Sequence, residues 1–330
     1  VALDYPRRLS LAQTPTPLQY LERASERWGC GHRLWVKRDD LTGCTLSGNK
    51  VRKLEFITAH ALDNGYDTLI TCGGVQSNHC RATALAGAQL GLGVHLLLRG
   101  EAPAQAEGNL LLDQLAGAQV DFYPARGFSS ELPARFAHWQ AHYAARGRRA
   151  LAVPTGGSDG LGVWGYIAAC EELREDFRAA QIERAHIVHA SGSGGTQAGL
   201  GAGVLLHELP ATVWGVNVCD DEQYFLDKVA ADVADLCRRY PQVGTLAVAP
   251  NVLDGYVGAG YAVAGAEIFQ LIAELARLEG LVLDPVYTGK AFAGMLAEIR
   301  AGRFEGTRDI VFVHTGGIFG LFAQRGGFDH

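Results

Sequence analysis

Primary amines are scarce in this chain. Of its 29 lysines and arginines only five are lysines: Lys37, Lys50, Lys53, Lys228 and Lys290. Chemistry that needs a nucleophilic amine therefore has a short list of candidates. Lys50 lies in Leu46–Phe56, directly after Gly48 and Asn49, at a predicted helix start. A helix dipole there disfavours ammonium and favours the neutral, nucleophilic amine. The bland alternative is an exposed helix cap carrying three cations. A second stretch, Cys72–His79, ends a strand with a Gly pair and then sets Gln76, Ser77 and Asn78 before an apolar helix. Ser77 fits an ordinary N-cap, or a hydroxyl and adjacent N–H groups offered to a carboxylate. A third, Gly192-Ser193-Gly194-Gly195-Thr196, follows a strand and opens a helix, which makes a phosphate cradle. A fourth pairs Asp284–Lys290, containing Tyr287 and Thr288, with Val313–Gly317, containing Thr315. Both place hydroxyls beside glycines at element ends, where turn and cap chemistry is the competing explanation.

An amine, a phosphate cradle, an aromatic ring and several hydroxyls are what pyridoxal phosphate needs. Other readings compete. The glycine loop imitates a dinucleotide fingerprint, but the last glycine of that pattern is replaced by Gln197. Ser47–Lys50 matches SxxK without the SDN and KTG elements of penicillin-recognising enzymes. Gly156–Gly160 matches GxSxG around Ser158, with Asp284 and His314 following in the chain order of an α/β-hydrolase. Against that rival, no HGGG-type oxyanion loop is evident, and Ser158 fits an N-cap. No metal is expected: His207-Glu208 lacks a second His at 211, and His186 and His189 point to opposite sides of a strand.

Positioning these groups requires a framework. Val-, Ile- and Leu-rich runs at Thr68–Cys72, Val94–Leu98, Val120–Tyr123, Ala150–Val153, His186–Ala190, Val213–Val218 and Ile310–His314 read as buried strands. Helical patterns lie between them, at about 50–64, 77–91, 107–117, 128–146, 160–175, 195–207, 222–239, 261–279 and 288–302. The alternation predicts an α/β protein with parallel sheets. Punctuation at Leu46–Gly48 and Pro154–Gly157 suggests a small α/β domain over 47–155, inserted into a larger one made of 1–46 and 156–330. Ligands of open α/β sheets sit beyond the carboxyl ends of strands, so the loops after Cys72, Val153, Ala190 and His314 are the places to look. A length of 330 residues and 48% apolar content supply core enough for two domains. A net charge of −6 argues against a general nucleic-acid binder. No run of 18 apolar residues suggests a membrane span, and Val1–Arg8 lacks the apolar stretch of a secretory signal. Seven scattered cysteines without a CxxC pair fit a reduced, cytoplasmic compartment.

The chain resembles the D-cysteine desulfhydrase/1-aminocyclopropane-1-carboxylate deaminase family of fold-type II pyridoxal-phosphate enzymes. The resemblance runs nearly end to end, through Pro15–Leu18, Val36–Asp40, Ser47–Phe56, Gln76–Thr83, Gly156–Tyr166, Ser191–Gly199, Gly280–Gly289 and His314–Gly317. It implies two open, twisted, mainly parallel sheets flanked by helices, of tryptophan-synthase-β type. It also implies a site. Lys50, not Lys53, would carry the cofactor covalently. Asn78 would hydrogen-bond its phenolic oxygen, and Gly192, Ser193, Gly194, Gly195 and Thr196 would hold its phosphate. Tyr287 would abut the pyridine ring, Ser77 would meet the substrate carboxylate, and Tyr261 would lie near the substrate thiol. A homodimer is implied as well.

Cyclopropane deaminases carry Glu after the tyrosine matching Tyr287 and Leu before the glycine matching Gly316. This chain has Thr288 and Thr315. A hydroxyl cannot supply the negative charge that keeps a pyridine nitrogen protonated, so the electron sink is weaker. Ring opening, which has no α-proton to remove, needs the strong sink. Loss of a good β leaving group after α-proton removal does not. The expected reaction is therefore α,β-elimination of D-cysteine to pyruvate, hydrogen sulfide and ammonia, with Lys50 as general base at Cα. L-Cysteate sulfo-lyase and cyclopropane deaminase activities are the alternatives on the same scaffold, and a non-catalytic vitamin-B6 carrier is a third. The preference for the D-enantiomer comes from the resemblance alone. A sulfonate substrate would want an additional cation near the β-substituent, and none can be located from sequence.

Overall fold

The computed structural model describes residues 3–328, so Val1 and Ala2 of the first segment and Asp329 and His330 lie outside it. In chain order the strands are β1 Leu18–Tyr20, β2 Arg33–Lys37, β3 Thr68–Gly74, β4 Gly93–Arg99, β5 Gln119–Tyr123, β6 Ala150–Ala152, β7 Ala185–Ser191, β8 Ala211–Asn217, β9 Asn251–Leu253 and β10 Asp309–Val313. The helices are α1 Glu22–Trp28, α2 Asn49–Asp63, α3 Asn78–Leu90, α4 Gly108–Leu115, α5 Phe128–Ala144, α6 Trp164–Ala180, α7 Gly195–Leu206, α8 Glu222–Arg239, α9 Ala266–Glu279, α10 Thr288–Arg300 and α11 Ile318–Phe322.

Six strands form one sheet in the order β1-β2-β10-β7-β8-β9, and four form another in the order β5-β4-β3-β6. Among the described residues only the β1–β2 pairing is antiparallel. All strands of the four-stranded sheet fall within 47–155, and those of the six-stranded sheet fall outside it. Parallel sheets are covered on both faces, and β10 shows how. Ile310 and Phe312 pack with Phe292 and Leu296 on one face, while Val311 and Val313 pack with Tyr166 and Leu200 on the other. Continuous apolar runs of this kind are what the sequence shows, and all seven expected strands are present.

Three strands escaped the pattern. β2 reads Arg-Leu-Trp-Val-Lys, with a cation at each end. Its ends stay inside because Arg33 makes two bonds to Asp309 (2.6 and 2.8 Å) and Lys37 Nζ donates to Asp176 at 2.6 Å. β1 and β9 have three residues each and carry no periodicity to read. The helix expected from 160 begins at Trp164, and the one expected from 261 begins at Ala266.

Candidate active site

The loops following β3, β6, β7 and β10 converge on one cavity of about 630 Å³, within the usual range for a small-molecule site. Cys72, Gly73, Ser77, Asn78, Thr155, Gly156, Ser191, Gly192, Ser193, Gly194, Thr196 and Thr315 line it, so both sheets contribute. Lys50, Tyr261 and Tyr287 line it too.

Lys50 stands in the first turn of α2, whose entry is built for a close approach. Gly48 has φ +105° and ψ −178°, and a Cβ there would sit 2.7 Å from Thr315 O. Gly48 N donates to Asp39 O and Asn49 N to Thr315 O, both at 3.1 Å. These bonds pin the turn between the end of β2 and the end of β10. The Lys50 amine has no hydrogen-bond partner among the described residues, and burial pushes its pKa down to about 8. The helix dipole invoked from sequence acts in the same direction, but desolvation is the main cause. Lys53 differs. Its amine donates to Gly156 O and Ser158 Oγ, each at 3.1 Å, and burial and the nearby Lys50 charge hold it well below the ordinary lysine range.

The glycine loop opens α7 through Gly194, at φ +78°. The N–H groups of a helix's first turn have no intrahelical acceptors and face outward. Added Cβ atoms here would collide. At Gly192 one would meet the Tyr287 ring at 3.0 Å, and at Gly195 one would meet Ser158 Oγ at 2.5 Å. Lys228 Nζ donates to Ser158 O at 3.0 Å, and Lys53 Nζ donates to Ser158 Oγ at 3.1 Å, so two amines back the loop. Asn49 Nδ2 donates to Thr196 Oγ1 at 3.0 Å and ties the lysine-bearing turn to it. This combination of backbone donors, supporting amines and space where side chains are missing fits a phosphate, and the adjacent free amine fits an aldehyde.

Ser77 is the N-cap that the sequence allowed, and it stands in the cavity wall. Its Oγ accepts from Cys80 N at 3.2 Å at the start of α3. Asn78 is oriented from behind: Asn109 Nδ2 donates to Asn78 Oδ1 at 3.0 Å, and Arg81 Nε holds Asn109 Oδ1 at 3.1 Å. The Asn78 amide nitrogen is left to donate. Tyr261 and Tyr287 share a hydroxyl–hydroxyl bond of 2.6 Å, and burial raises both phenols.

Two expectations need correction. Thr288 is not among the cavity-lining residues. Its hydroxyl donates to Asp284 Oδ1 at 2.7 Å and accepts from Asp284 N at 2.8 Å, which closes the start of α10. Thr315 alone brings the expected hydroxyl to the cavity. Ser158 is neither a helix N-cap nor part of a triad. Its Oγ meets Lys53, Ser193 and Gly195, whereas His314 bonds Val282 O and Gly316 N, and Asp284 caps α10. The Ser-Asp-His triad that the chain order suggested is therefore not assembled.

Sequence reasoning missed several lining residues, Arg99, Phe128, Leu132, Cys219 and Tyr224 among them. Arg99 ends β4 and Cys219 follows β8. Arg99 precedes a single glycine, Gly100, and Cys219 precedes two aspartates, and neither forms part of a glycine- and hydroxyl-rich cluster. Among the described residues no helix is long and apolar enough to cross a membrane, and no cluster of side chains could hold a metal ion.

Comparison with known proteins agrees with this geometry. A Thermotoga maritima protein provisionally named a 1-aminocyclopropane-1-carboxylate deaminase is 40% identical over 318 residues, covering 96% of this chain and 98% of that protein. The mitochondrial bifunctional D-cysteine desulfhydrase/1-aminocyclopropane-1-carboxylate deaminase of Arabidopsis thaliana is 40% identical over 328 residues, 95% of this chain and 79% of its own. The crystal structure of an ACC deaminase homologue superposes with a TM-score of 0.86 at 35% identity, covering 98% of this chain and 95% of the other. An L-serine ammonia-lyase from Rhizomucor miehei shares the fold at 15% identity, with a TM-score of 0.67 over 96% of this chain and 98% of the other. The family described as pyridoxal-phosphate dependent enzymes matches residues 9–316. The chain thus belongs to the 1-aminocyclopropane-1-carboxylate deaminase/D-cysteine desulfhydrase family of fold-type II, pyridoxal-phosphate-dependent enzymes.

Proposed function

We propose that this chain is a carbon–sulfur lyase that catalyses α,β-elimination of D-cysteine to pyruvate, hydrogen sulfide and ammonia. The observation that carries the reading is the enclosed amine of Lys50, free of hydrogen bonds and facing the cavity bordered by the glycine loop. When bound, pyridoxal phosphate supplies the electron sink that stabilises negative charge at Cα. The chain does the rest. Gly192–Thr196 hold the phosphate, Asn78 donates to the phenolic oxygen, and Tyr287 flanks the ring. Ser77 and the first N–H groups of α3 hold the substrate carboxylate, where a helix N-terminus favours an anion. Lys50 Nζ removes the Cα proton, a role suited to an amine whose pKa is pushed down to about 8. Tyr261 stands at the side-chain end.

Elimination is favoured over cyclopropane ring opening because neither diagnostic position brings a carboxylate to the cavity: residue 288 is a threonine whose hydroxyl is bound to Asp284, and residue 315 is a threonine that lines the wall after β10. The Asp284 carboxylate is consumed by three backbone N–H groups and the Thr288 hydroxyl. A homodimer and a reducing, cytoplasmic location complete the proposal. The test is direct. Purified enzyme should absorb in the visible and convert D-cysteine to pyruvate and sulfide, and Lys50→Ala should lose both properties. Visible colour and turnover surviving in Lys50→Ala would remove the assignment. Appreciable turnover of 1-aminocyclopropane-1-carboxylate by the wild type would remove the preference for elimination.

A further inference from the structure

Three side-chain amides meet at the start of α3. Asn109, in the first turn of α4, is fully buried, and every polar atom of its side chain has a partner. Its Nδ2 donates to Gln76 O and to Asn78 Oδ1, both at 3.0 Å, and its Oδ1 accepts from Arg81 Nε at 3.1 Å. Gln76 clamps the same turn: its Oε1 accepts from Asn109 N and its Nε2 donates to Glu107 O, each at 2.9 Å. The chemistry of these partners fixes which way each amide points. A guanidinium can only donate, and a backbone carbonyl can only accept. Asn109 lies between one of each, so its oxygen must face Arg81 and its nitrogen must face Gln76 O. The second Nδ2 hydrogen then reaches Asn78, and the atom that receives it must be the carbonyl oxygen. The Asn78 nitrogen is the end left without a hydrogen-bond partner among the described residues, and Asn78 lines the cavity.

Arg81 also reaches the other reactive group. Its Nη1 donates to Thr45 O, and its Nη2 donates to Ser47 O at 2.9 Å, in the segment that turns through Gly48 into Lys50. Burial pushes Arg81 down to about 10, against the pull of Asp113, so at neutral pH it keeps its proton and remains a pure donor. One rigid, planar group thus ties the orientation of the Asn78 amide to the backbone that carries the Lys50 amine. In pyridoxal phosphate the aldehyde and the phenolic oxygen stand on adjacent ring carbons. The two protein groups that meet them need a fixed spacing, and Arg81 supplies it from behind the cavity wall.

We propose that Asn109, anchored by Arg81, is a positioning residue that sets the polarity of Asn78, so that this amide presents N–H and not C=O to the cofactor's phenolic oxygen. The inference rests on the site reading above and adds to it two residues outside the cavity lining. A donor at the phenolic oxygen favours its anionic form, in which the bound cofactor absorbs in the visible. An acceptor there favours the protonated oxygen, and absorbance moves to the near ultraviolet. Asn109→Asp reverses the polarity. The carboxylate still accepts from Arg81, which compensates its charge, but it cannot donate to Asn78 Oδ1. Asn78 then turns its nitrogen towards the new carboxylate and its oxygen towards the cofactor.

Absorbance spectra of holoenzyme at neutral pH read the effect. The wild type should be mainly in the visible-absorbing form. In Asn109→Asp the ratio of visible to near-ultraviolet absorbance should fall about 5-fold or more, the scale of one lost hydrogen bond. In Asn109→Leu, which leaves Asn78 free to turn either way, the fall should be smaller. In an Asn78→Ala background, Asn109→Asp should change the ratio by less than about 2-fold, because a residue that acts through Asn78 then has nothing to act on. An unchanged ratio in Asn109→Asp overturns the proposal. So does an equal fall in the Asn78→Ala background, which marks a general disturbance of the site, and so does a wild type found mainly in the near-ultraviolet form. If Asn109→Asp does not fold, the wild type decides. The Asn78 side-chain amide resonance, assigned by its absence from Asn78→Ala, should shift when protein stripped of cofactor is reloaded with pyridoxal phosphate, and an unmoved resonance overturns the proposal. Failure of D-cysteine to give pyruvate and sulfide would instead sink the reaction proposed above, while the spectra would still judge Asn109.

Discussion

At the scale of single residues, two lysines three positions apart have different fates. Lys53 is spent on Gly156 O and Ser158 Oγ. Lys50 keeps an unpaired, desolvated amine. Lysine scarcity put Lys50 on a short list, and the family resemblance, not the spacing, singled it out over Lys53. The cause of its shift was not legible, because burial is made by loops far away in the chain. Arg99 and Asn109 were invisible for the same reason, since their relation to Tyr261 and Asn78 exists only after folding. A neutral amine is the form that attacks an aldehyde, and its fraction rises as pH rises through the amine's pKa. Recombination of pyridoxal phosphate with protein stripped of cofactor should therefore accelerate with a midpoint near pH 8, well below the roughly 10.4 of a free lysine. Stopped-flow absorbance across that range checks it. A midpoint near that of a free lysine would show that Lys50 is solvated before the cofactor arrives.

At the scale of elements, the placement of Lys50 depends on how α2 begins. Gly48 adopts φ +105° with extended ψ, a region essentially restricted to glycine, and it leaves no room for a Cβ against Thr315 O. Gly316, at φ +91°, faces it with a would-be Cβ 2.7 Å from Gly48 Cα. Two glycine backbones thus interlock where α2 meets the end of β10. Gly48→Ala should lower stability by about 1–3 kcal/mol from backbone strain and should also displace Lys50. The expected signature is a lower Tm together with weakened visible absorbance at saturating cofactor. An unchanged spectrum and Tm would mean that the turn relaxes without moving the amine. Gly48, ahead of Lys50, stood out in the sequence as punctuation, and Gly316 as a glycine beside the Thr315 hydroxyl. Their contact did not, because about 270 residues separate them and no local periodicity encodes it. The strands with regular apolar runs were all readable. β2 was not, because its terminal cations are tolerated only through Asp309 and Asp176.

At the scale of the whole molecule, the two sheets and the carboxyl-end loops that make the cavity were readable from the β-α alternation. What locks distant segments together was not. A buried charge network joins Asp39, which lies two residues past β2, to the body of α2 and the middle of α6. Arg52 Nε and Nη2 donate to Asp39 at 2.9 and 2.8 Å, Arg52 Nη1 donates to Glu172 at 2.7 Å, and Tyr166 Oη donates to Asp39 at 2.6 Å. In the sequence Asp39, Arg52 and Tyr166 fall in stretches that carry the family resemblance without an assigned role, and Glu172 falls outside them. Burial alone would raise the Asp39 carboxyl, but Arg52 above all, then Lys37 and Tyr166, hold it below the usual carboxylate range. A carboxyl with a depressed folded-state pKa contributes stability that is present above its unfolded value, about 3.9, and lost as pH falls through the folded value. Arg52→Met strands Asp39 without its main counter-charge, which should cost about 3–5 kcal/mol at neutral pH. In that variant burial dominates and the Asp39 pKa rises, so acidification lets the stranded group take a proton and relieves the penalty. The stability gap between wild type and Arg52→Met, measured by urea unfolding from pH 7.5 down to about 4, should therefore narrow steadily as pH falls. Other carboxyls, such as Asp113, whose pKa burial raises to about 8, titrate in both proteins and largely cancel in the difference. A gap that stays constant over that range would show that Asp39 is not held ionised by Arg52 in the wild type.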